Sequence, residues 1–420
     1  MAAPAPATAP GRQYWRVPMT FMRGVDSVAA CHAQCRARQR QSDSVRIHYR
    51  YRRSIVSCKS IQGTSMKQVE PKRIIVIGAG IVGAALAYHL ARKGAQVTVV
   101  EAGAIASGVT GRSFAWINTS AMSPDPIAQL RGVAIHAYRR LETQLPGLKI
   151  QWTGALSYGL DAGEAMPPGT VLVDRSRIAR LEPHLRDPPS QAAYAPEQGA
   201  LDAVVATQAL IAGAREHGAT ILTQTPVLGL AVEGARVTGI ETGSGTIDAD
   251  TVVLAAGTGI GRLTDKLHVS LPIVSSPAVF MRYTSRPGLV RTIISSAAIE
   301  VRQGAHGTLF AAEDFLDDSV DNQPLAMALR TAGAIGNELD GAGEITPAWA
   351  CVGLRPMPAD GIPIIGYLPA VAGLYVCTMH PGVTLAAIAG RLASEEIMDG
   401  ERSAALGPCG PERFLASPAT

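Results

Sequence analysis

Arg355 lies in the stretch VGLRPMPADGIPIIG, Val352 to Gly366. A guanidinium is a planar fork that meets a carboxylate through two parallel hydrogen bonds and stays charged at any working pH. Pro356 and Pro358 stiffen the backbone on its C-terminal side. Such an arginine suits a carboxylate clamp; the plain alternative is an ion pair with Asp360, five residues on. Asp360 itself is expected to hold a turn rather than react. His380 stands in TMHPGVTLAA, a loop that runs into a helix. Gly382, Val383 and Thr384 would form the first turn of that helix. Their free N–H groups and the positive end of the dipole would stabilise negative charge on a ligand. His380 then either polarises the ligand or is satisfied by a nearby carbonyl.

These groups need a ligand delivered to them, and the stretch from Arg73 to Gly103 is built to hold one. Ile74 to Ile77 reads as a buried parallel strand. Gly78, Ala79, Gly80, Ile81, Val82 and Gly83 follow, and a helix runs to about Lys93 before Gly94 ends it. Gly78 permits the tight turn, Gly80 lets a pyrophosphate approach the backbone, and Gly83 lets helix and strand pack closely. Val97 to Val100 is the second strand, closed by Glu101 and Ala102. Glu101 comes 23 residues after Gly78, where a carboxylate binds adenosine ribose hydroxyls and repels a 2′-phosphate. The whole strand–glycines–helix–strand–acid unit points to a dinucleotide, and by itself leaves FAD and NAD both open. The next loop, Ala104 to Asn118, packs Ser107, Gly108, Thr110, Gly111, Arg112 and Ser113 closely. Such a segment can wrap a second nucleotide half; otherwise it is a surface loop. Trp116, after it, either lines the pocket or packs.

The remaining elements must bring Arg355 and His380 to this grip. An amphipathic helix is expected from Asp125 to Leu145, and a hairpin-like strand pair around Gly154. A short helix capped at Asp174 or Ser176 ends near Pro183, and a second helix spans Ala206 to His217. Strands follow with turns at Glu233-Gly234 and Ser244-Gly245, then a buried strand at Thr251–Leu254. Ala256 and Gly257 follow it and are expected to bend close to the dinucleotide. Residues 271–330 read mainly as β, and Gln323 to Glu338 as a helix. Met281 and Tyr283 alternate onto one face of that β region and face either the substrate or the core.

The 420 residues suit two domains rather than one core. Charge is uneven. Residues 1–72 carry 13 Lys/Arg against three acids, and the rest carries 25 against 31, so a mildly acidic body bears a basic tail. Nothing in the body suggests nucleic acid. Residues 1–65 show no steady period and no secretory core, and are expected to carry no catalytic group. They read as sequence upstream of the true start at Met66, or as a transit peptide or basic tail; the compartment is cytoplasmic on the first reading and an organelle on the second. Cys31 and Cys35 lack a second ligand pair for zinc, and the other cysteines are scattered, so a reducing compartment is expected. The uncharged run Ile74 to Leu90 divides into a short strand and a helix start, so no membrane span is expected.

The chain resembles the FAD-dependent D-amino acid oxidase, glycine oxidase and sarcosine oxidase family. Four segments carry the likeness: the fingerprint ending at Glu101, ASGVTGRS, TVVLAAGTGI, and GLRPMPADGIPIIG with its sequel GLYVCTMHPGVTLAAIAGRLASEEI. It covers about residues 72–402. The resemblance implies an α/β fold, with a Rossmann-type FAD-binding lobe from 72–125, 195–265 and 350–402. An α+β substrate lobe on an antiparallel sheet would use 126–194 and 266–349, and 403–420 would be a tail. It also implies non-covalent FAD, adenine contact through the backbone of Val227, and Arg355 on the substrate carboxylate. Two positions depart from the family pattern, Asp202-Ala203 and His380-Pro381. The implied reaction is oxidation of the C–N bond of a small amino or imino acid. Hydride passes to flavin N5 and the imine hydrolyses, with orientation supplying most of the catalysis and no base apparent. Electrons would go to oxygen, a quinone or a partner flavoprotein. Lys266 is the only lysine near the start of the β region. A flavoprotein dehydrogenase subunit of a multi-subunit complex, a flavin-binding subunit with an assembly role and an NAD-dependent dehydrogenase stand as alternatives, and the expected partners include a second copy of the chain in a homo-oligomer.

Overall fold

Alternate residues of the first strand enter two different cores. Ile74 and Val76 pack on one side, Ile75 and Ile77 on the other, and all are buried. A strand covered on both faces has no polar side, which is why this run shows no alternation. The computed structural model describes residues 70–119, 125–159, 166, 168–315, 317–369 and 371–414. The basic extension 1–65, Met66 and the cysteines at 31, 35 and 58 lie outside the described residues.

The six-stranded sheet runs β18-β19-β12-β1-β2-β8. Its members are β1 (Arg73–Ile77), β2 (Gln96–Val100), β8 (Thr220–Leu222), β12 (Thr251–Leu254), β18 (Ile364–Tyr367) and β19 (Leu374–Thr378). All pairs are parallel except β18 with β19. On one face lie α1 (Ile81–Arg92), α2 (Ala128–Gln144), α4 (Ala203–Glu216) and α7 (Gly382–Asp399). The other face carries α5 (Ile260–Thr264) and a three-stranded meander of β9 (Val227–Glu233), β10 (Arg236–Thr242) and β11 (Gly245–Asp248). The turns at 233–236 and 242–245 fall where the sequence places them. The helix expected from Ala206 begins earlier, at Ala203, because Asp202 caps it: its carboxylate accepts from the N–H groups of Val204 and Val205.

The second large sheet runs β17-β13-β16-β15-β14-β4-β6-β5. It contains β4 (Ala155–Tyr158), β5 (Val171–Asp174), β6 (Gln191–Ala195), β13 (Ile273–Thr284), β14 (Ile293–Ser296), β15 (Glu300–Gln303), β16 (Thr308–Asp314) and β17 (Thr346–Pro358). Asp174 caps α3 (Arg175–Leu181), accepting from the Arg177 N–H. One face packs on α6 (Pro324–Glu338). No hairpin forms around Gly154. β4 lies between β14, which is parallel to it, and β6. The residues before Gly154 instead bridge to Ala200 through Gln151, beside the short pair β3 (Trp116–Ile117) and β7 (Gly199–Ala200). Partners distant in sequence won over a local turn.

Helix α1 is sandwiched by α4 and α7, and small residues set the spacing. A Cβ placed on Gly390 of α7 would stand 2.9 Å from both the carbonyl carbon and the Cβ of Ala85. Gly390→Val is expected to lower stability by about 1–3 kcal/mol through overpacking, read as a drop in thermal midpoint.

Candidate functional site

Both helix N-termini that the motifs announced, those of α1 and α7, open on one cavity of about 940 Å³. That volume suits a large cofactor, since pockets for drug-sized ligands and cofactors run to roughly 1,000 Å³. The cavity reaches from the fingerprint to the inner face of the antiparallel sheet.

At the fingerprint, the β1–α1 junction leaves no room for side chains. Gly78 has φ +107°, and a Cβ there would stand 2.5 Å from the Ala255 carbonyl oxygen. A Cβ on Gly83 would come within 2.0 Å of the Gly78 carbonyl oxygen. Gly83 thus packs helix on strand, as its position in the motif implies, and does not line the cavity. Ala79 does not line it either, being fully buried; its N–H donates to Glu101 Oε2 at 2.8 Å. These two depart from the expected set because the turn needs their backbone and their lack of bulk. Gly78, Gly80, Ile81, Val82, Glu101 and Ala102 do form cavity wall. Glu101 also accepts from the Gly103 N–H at 2.8 Å, which holds its carboxylate at the rim.

The loop after β2 folds over this grip. Ser107, Gly108, Thr110, Arg112, Ser113 and Trp116 all line the cavity. Thr110 does so as a brace: its buried hydroxyl accepts from the Ile81 N–H at 3.1 Å. Val227, Ala256 and Gly257 line it from β9 and the end of β12. Gly382, Val383 and Thr384 form the first turn of α7 at the wall. The Thr384 hydroxyl lies within hydrogen-bond distance of the Trp116 carbonyl (3.0 Å) and the Asn118 carboxamide oxygen (3.1 Å) and donates its one proton to either, tying helix to loop. Tyr138 of α2 donates its hydroxyl to the Val383 carbonyl at 2.5 Å.

The sheet contributes the far wall. Cross-strand pairing places Ser276, Ala278, Phe280 and Arg282 of β13 on one face with Asp314, Ala312 and Phe310 of β16 and with Arg355 of β17. This face bounds the cavity. Met281 and Tyr283 do share a face, as the alternation implies, but it is the opposite one. Both are fully buried under α6, with the Tyr283 hydroxyl donating to the Ala328 carbonyl at 3.1 Å. Neither lines the pocket. Period 2 groups residues by face, and only the packed partner decides which face is the core.

Arg355 belongs to the wall, and its ion-pair partner is not Asp360. Its Nη2 donates to Ser276 Oγ (2.9 Å), the Pro277 carbonyl (3.2 Å) and Asp314 Oδ1 (2.9 Å). Asp360 instead pairs with Arg413 at 2.8 Å and accepts from the Ile362 N–H, holding a turn. His380 also lines the cavity; burial, with Arg355 and Arg131 nearby, lowers it to about 4, so it is neutral at ordinary pH. Sequence reasoning missed two groups on the sheet face. Arg302 is buried, donates to the Phe114 (2.7 Å) and Leu201 (2.9 Å) carbonyls and lies 4.3 Å over the Phe310 ring. It pins the sheet to the wrapping loop. Glu300 lines the cavity from the next strand position on the same face. Charged residues alternating along a predicted strand, Glu300 and Arg302, were the only signal.

The residues fit a flavin dinucleotide. The fingerprint end of the cavity has the Glu101 carboxylate and the α1 N-terminus, and two buried polar atoms of the wall, Trp116 Nε1 and Thr378 Oγ1, have no hydrogen-bond partner among the described residues. Among those residues no helix is long and apolar enough to cross a membrane, and no group of three His, Cys, Asp or Glu could hold a metal.

Comparison with known proteins agrees with this geometry. A D-amino acid dehydrogenase of Cereibacter sphaeroides is 28% identical over 420 residues, covering 82% of this chain and 96% of that protein. A glycine oxidase of Pseudomonas aeruginosa is 27% identical, covering 77% and 94%. The fold matches the solved L-amino acid deaminase of Proteus myxofaciens with a TM-score of 0.74 at 20% identity, covering 82% and 94% of the two chains. The family model for FAD dependent oxidoreductase, DAO, matches residues 73–396. This excludes the NAD-dependent alternative, and the chain belongs to the FAD-dependent oxidoreductases of the DAO family.

Proposed function

We propose that this oxidoreductase acts on the C–N bond of a small amino or imino acid and that Arg355 holds the substrate's carboxylate. The observation that carries the reading is the state of Arg355. Its guanidinium stands in the cavity wall with Nη2 and Nε committed to the sheet, while Nη1 has no partner among the described residues. Its side chain is 28% exposed, whereas Asp314, its ion-pair partner, is 73% exposed. A solvated carboxylate is weakly held, so an incoming carboxylate can share or displace it. The kinship to a D-amino acid dehydrogenase and a glycine oxidase supports the same substrate class.

FAD, when bound, supplies the two-electron acceptor for the C–N bond. The chain's own residues orient and insulate. On this reading Gly78, Gly80, Ile81 and Val82 meet the pyrophosphate, Glu101 the ribose, and the backbone of Val227 the adenine, without any covalent link. Ser107, Gly108, Thr110, Arg112 and Ser113 close over the dinucleotide, and Ala256 and Gly257 border it. The amides of Gly382, Val383 and Thr384, at the positive end of α7, favour negative charge nearby. Neutral His380 offers one donor and one acceptor, not a cation. Trp116 and Phe280 supply apolar wall.

The acceptor is oxygen, a quinone or a partner flavoprotein. Lys266 takes no part in the cavity; its ammonium lies beside Gly229 of β9, on the outer meander. No lysine of the described residues lines the cavity. Turnover with oxygen compared against an artificial dye separates the acceptors.

A panel of D-alanine, L-alanine, glycine, sarcosine and proline, added anaerobically, is expected to bleach the yellow absorbance with at least one member. Arg355→Met should keep the flavin and lower kcat/KM for that member by about 100-fold or more, since a charged hydrogen-bonded contact is worth at least ~2–3 kcal/mol. Full turnover in that variant overturns the clamp. Glu101→Gln should weaken FAD binding by about tenfold, the loss of one charge-assisted contact, measured by titrating apoprotein with FAD.

A further inference from the structure

One carboxyl in the cavity wall has no structural task. Glu300 opens β15, and the Val301–Ala311 register sets it beside Ala312, on the face that holds Phe280, Asp314 and Arg355. Asp314 is spent on Arg355. Arg302, next on that face, is spent on two carbonyls. The Glu300 carboxyl makes no hydrogen bond to a described residue, yet it stands close enough to Asp314 and Arg355 to feel both charges.

That placement has a consequence if Arg355 takes a substrate carboxylate, the reading on which this inference rests. In an amino acid the nitrogen is two bonds from the carboxylate carbon, so a substrate held by Arg355 carries its nitrogen into the cavity whose wall Glu300 shares, on the same sheet face. In water that nitrogen is an ammonium ion. It has no lone pair, and oxidation of the C–N bond needs one to form the imine. We propose that Glu300 is the proton acceptor for the substrate's ammonium group. One N–H bond breaks, one O–H bond forms on the carboxylate, and the electron pair stays on nitrogen. The products are a neutral amine and a neutral carboxylic acid, and the proton returns to solvent after product leaves.

The surroundings tune the group for this. Burial, then the charge of Asp314, raises Glu300 to about 7, against the opposing pull of Arg355. Arg282 of β13 and Arg302 stand further along the face, and Arg112 and His380 line the same cavity. His380, lowered to about 4, does not titrate near neutrality. A base must be deprotonated, so the effective group appears as pH rises through about 7.

Two slopes of opposite sign follow. For an oxidised amino acid of the panel, kcat/KM should climb between pH 6 and 8. Propionate, which carries the carboxylate without the amine, should bind more weakly over the same range, because ionised Glu300 repels it. Propionate affinity is read from its perturbation of the flavin absorbance or by calorimetry, without turnover. Glu300→Gln should flatten the propionate curve, lower kcat/KM at pH 8 by about 100-fold, within the range for a lost general base, and move the rise of kcat/KM to the higher pH at which the free amine itself loses its proton. Glu300→Asp should restore part of each slope. A Glu300→Gln enzyme that keeps the wild-type limb and rate overturns the proposal, as does a flat propionate curve in the wild-type holoenzyme, which decides the matter even if the variant does not fold. If the wild type oxidises no member of the panel, the amino-acid reading falls and this inference with it; if it does and only the Glu300 slopes are missing, Glu300 alone is refuted.

Discussion

The contact that the architecture depends on is between two backbones. Gly83 of α1 sits against the carbonyl of Gly78 so closely that any side chain would overlap it. That approach lays α1 directly on β1 and aims its first turn at the cavity. Ala85, two residues along on another face of the helix, stands close to Gly390 of α7. Helix positions are therefore set by missing atoms, and two N-termini converge on one space. The free energy behind this is ordinary burial of Ile, Val, Leu and Ala; the glycines decide where the burial happens.

The second constraint is the sheet that faces this grip. An antiparallel sheet has two faces, and here they do different work. One, with Val279, Met281, Tyr283, Val301 and Leu309, is dry core beneath α6. The other carries arginines, acids and Phe280 towards the cavity. A charged face next to a cavity is costly unless each charge is paired or wet. Arg302 meets this by spending its donors on carbonyls of the wrapping loop, which also locks the sheet to that loop. Burial lowers its pKa only to about 9, so it stays cationic at neutral pH. Arg355 meets it through Asp314 and Ser276. Glu300 does not meet it, and its raised pKa is the result.

On the proposed reading the site divides into a region that grips the cofactor and a region that selects the substrate. The grip is mostly backbone: amides at helix ends, a carboxylate held by two N–H groups, and a brace from Thr110. Backbone groups are insensitive to side-chain drift, which suits a tightly held cofactor. The facing region is made of side chains on four neighbouring strands, where a change of one residue alters charge or shape. Neutral His380, on the loop before α7, completes the boundary between them.

Much of this was legible in the sequence, because some signals are local. The β1–α1–β2 unit, the cap at Asp174 and the turns at 233–236 and 242–245 depend on residues within a few positions of one another. The convergence of Arg355 and His380 on the fingerprint is not local; it followed only from the resemblance to a known family, whose motifs come as intact segments. Three things depended on contacts distant in sequence. β4 chose β14 and β6 over a hairpin at Gly154, Arg355 chose Asp314 over Asp360, and Met281 and Tyr283 turned to the core. Glu300 looked like one acid in a β stretch until β16 and β17 came alongside. Local sequence determines which residues share a strand face or a helix turn. Which face meets solvent, core or ligand is decided only when the sheet closes against its partners, since that choice is made by the burial of the whole surface.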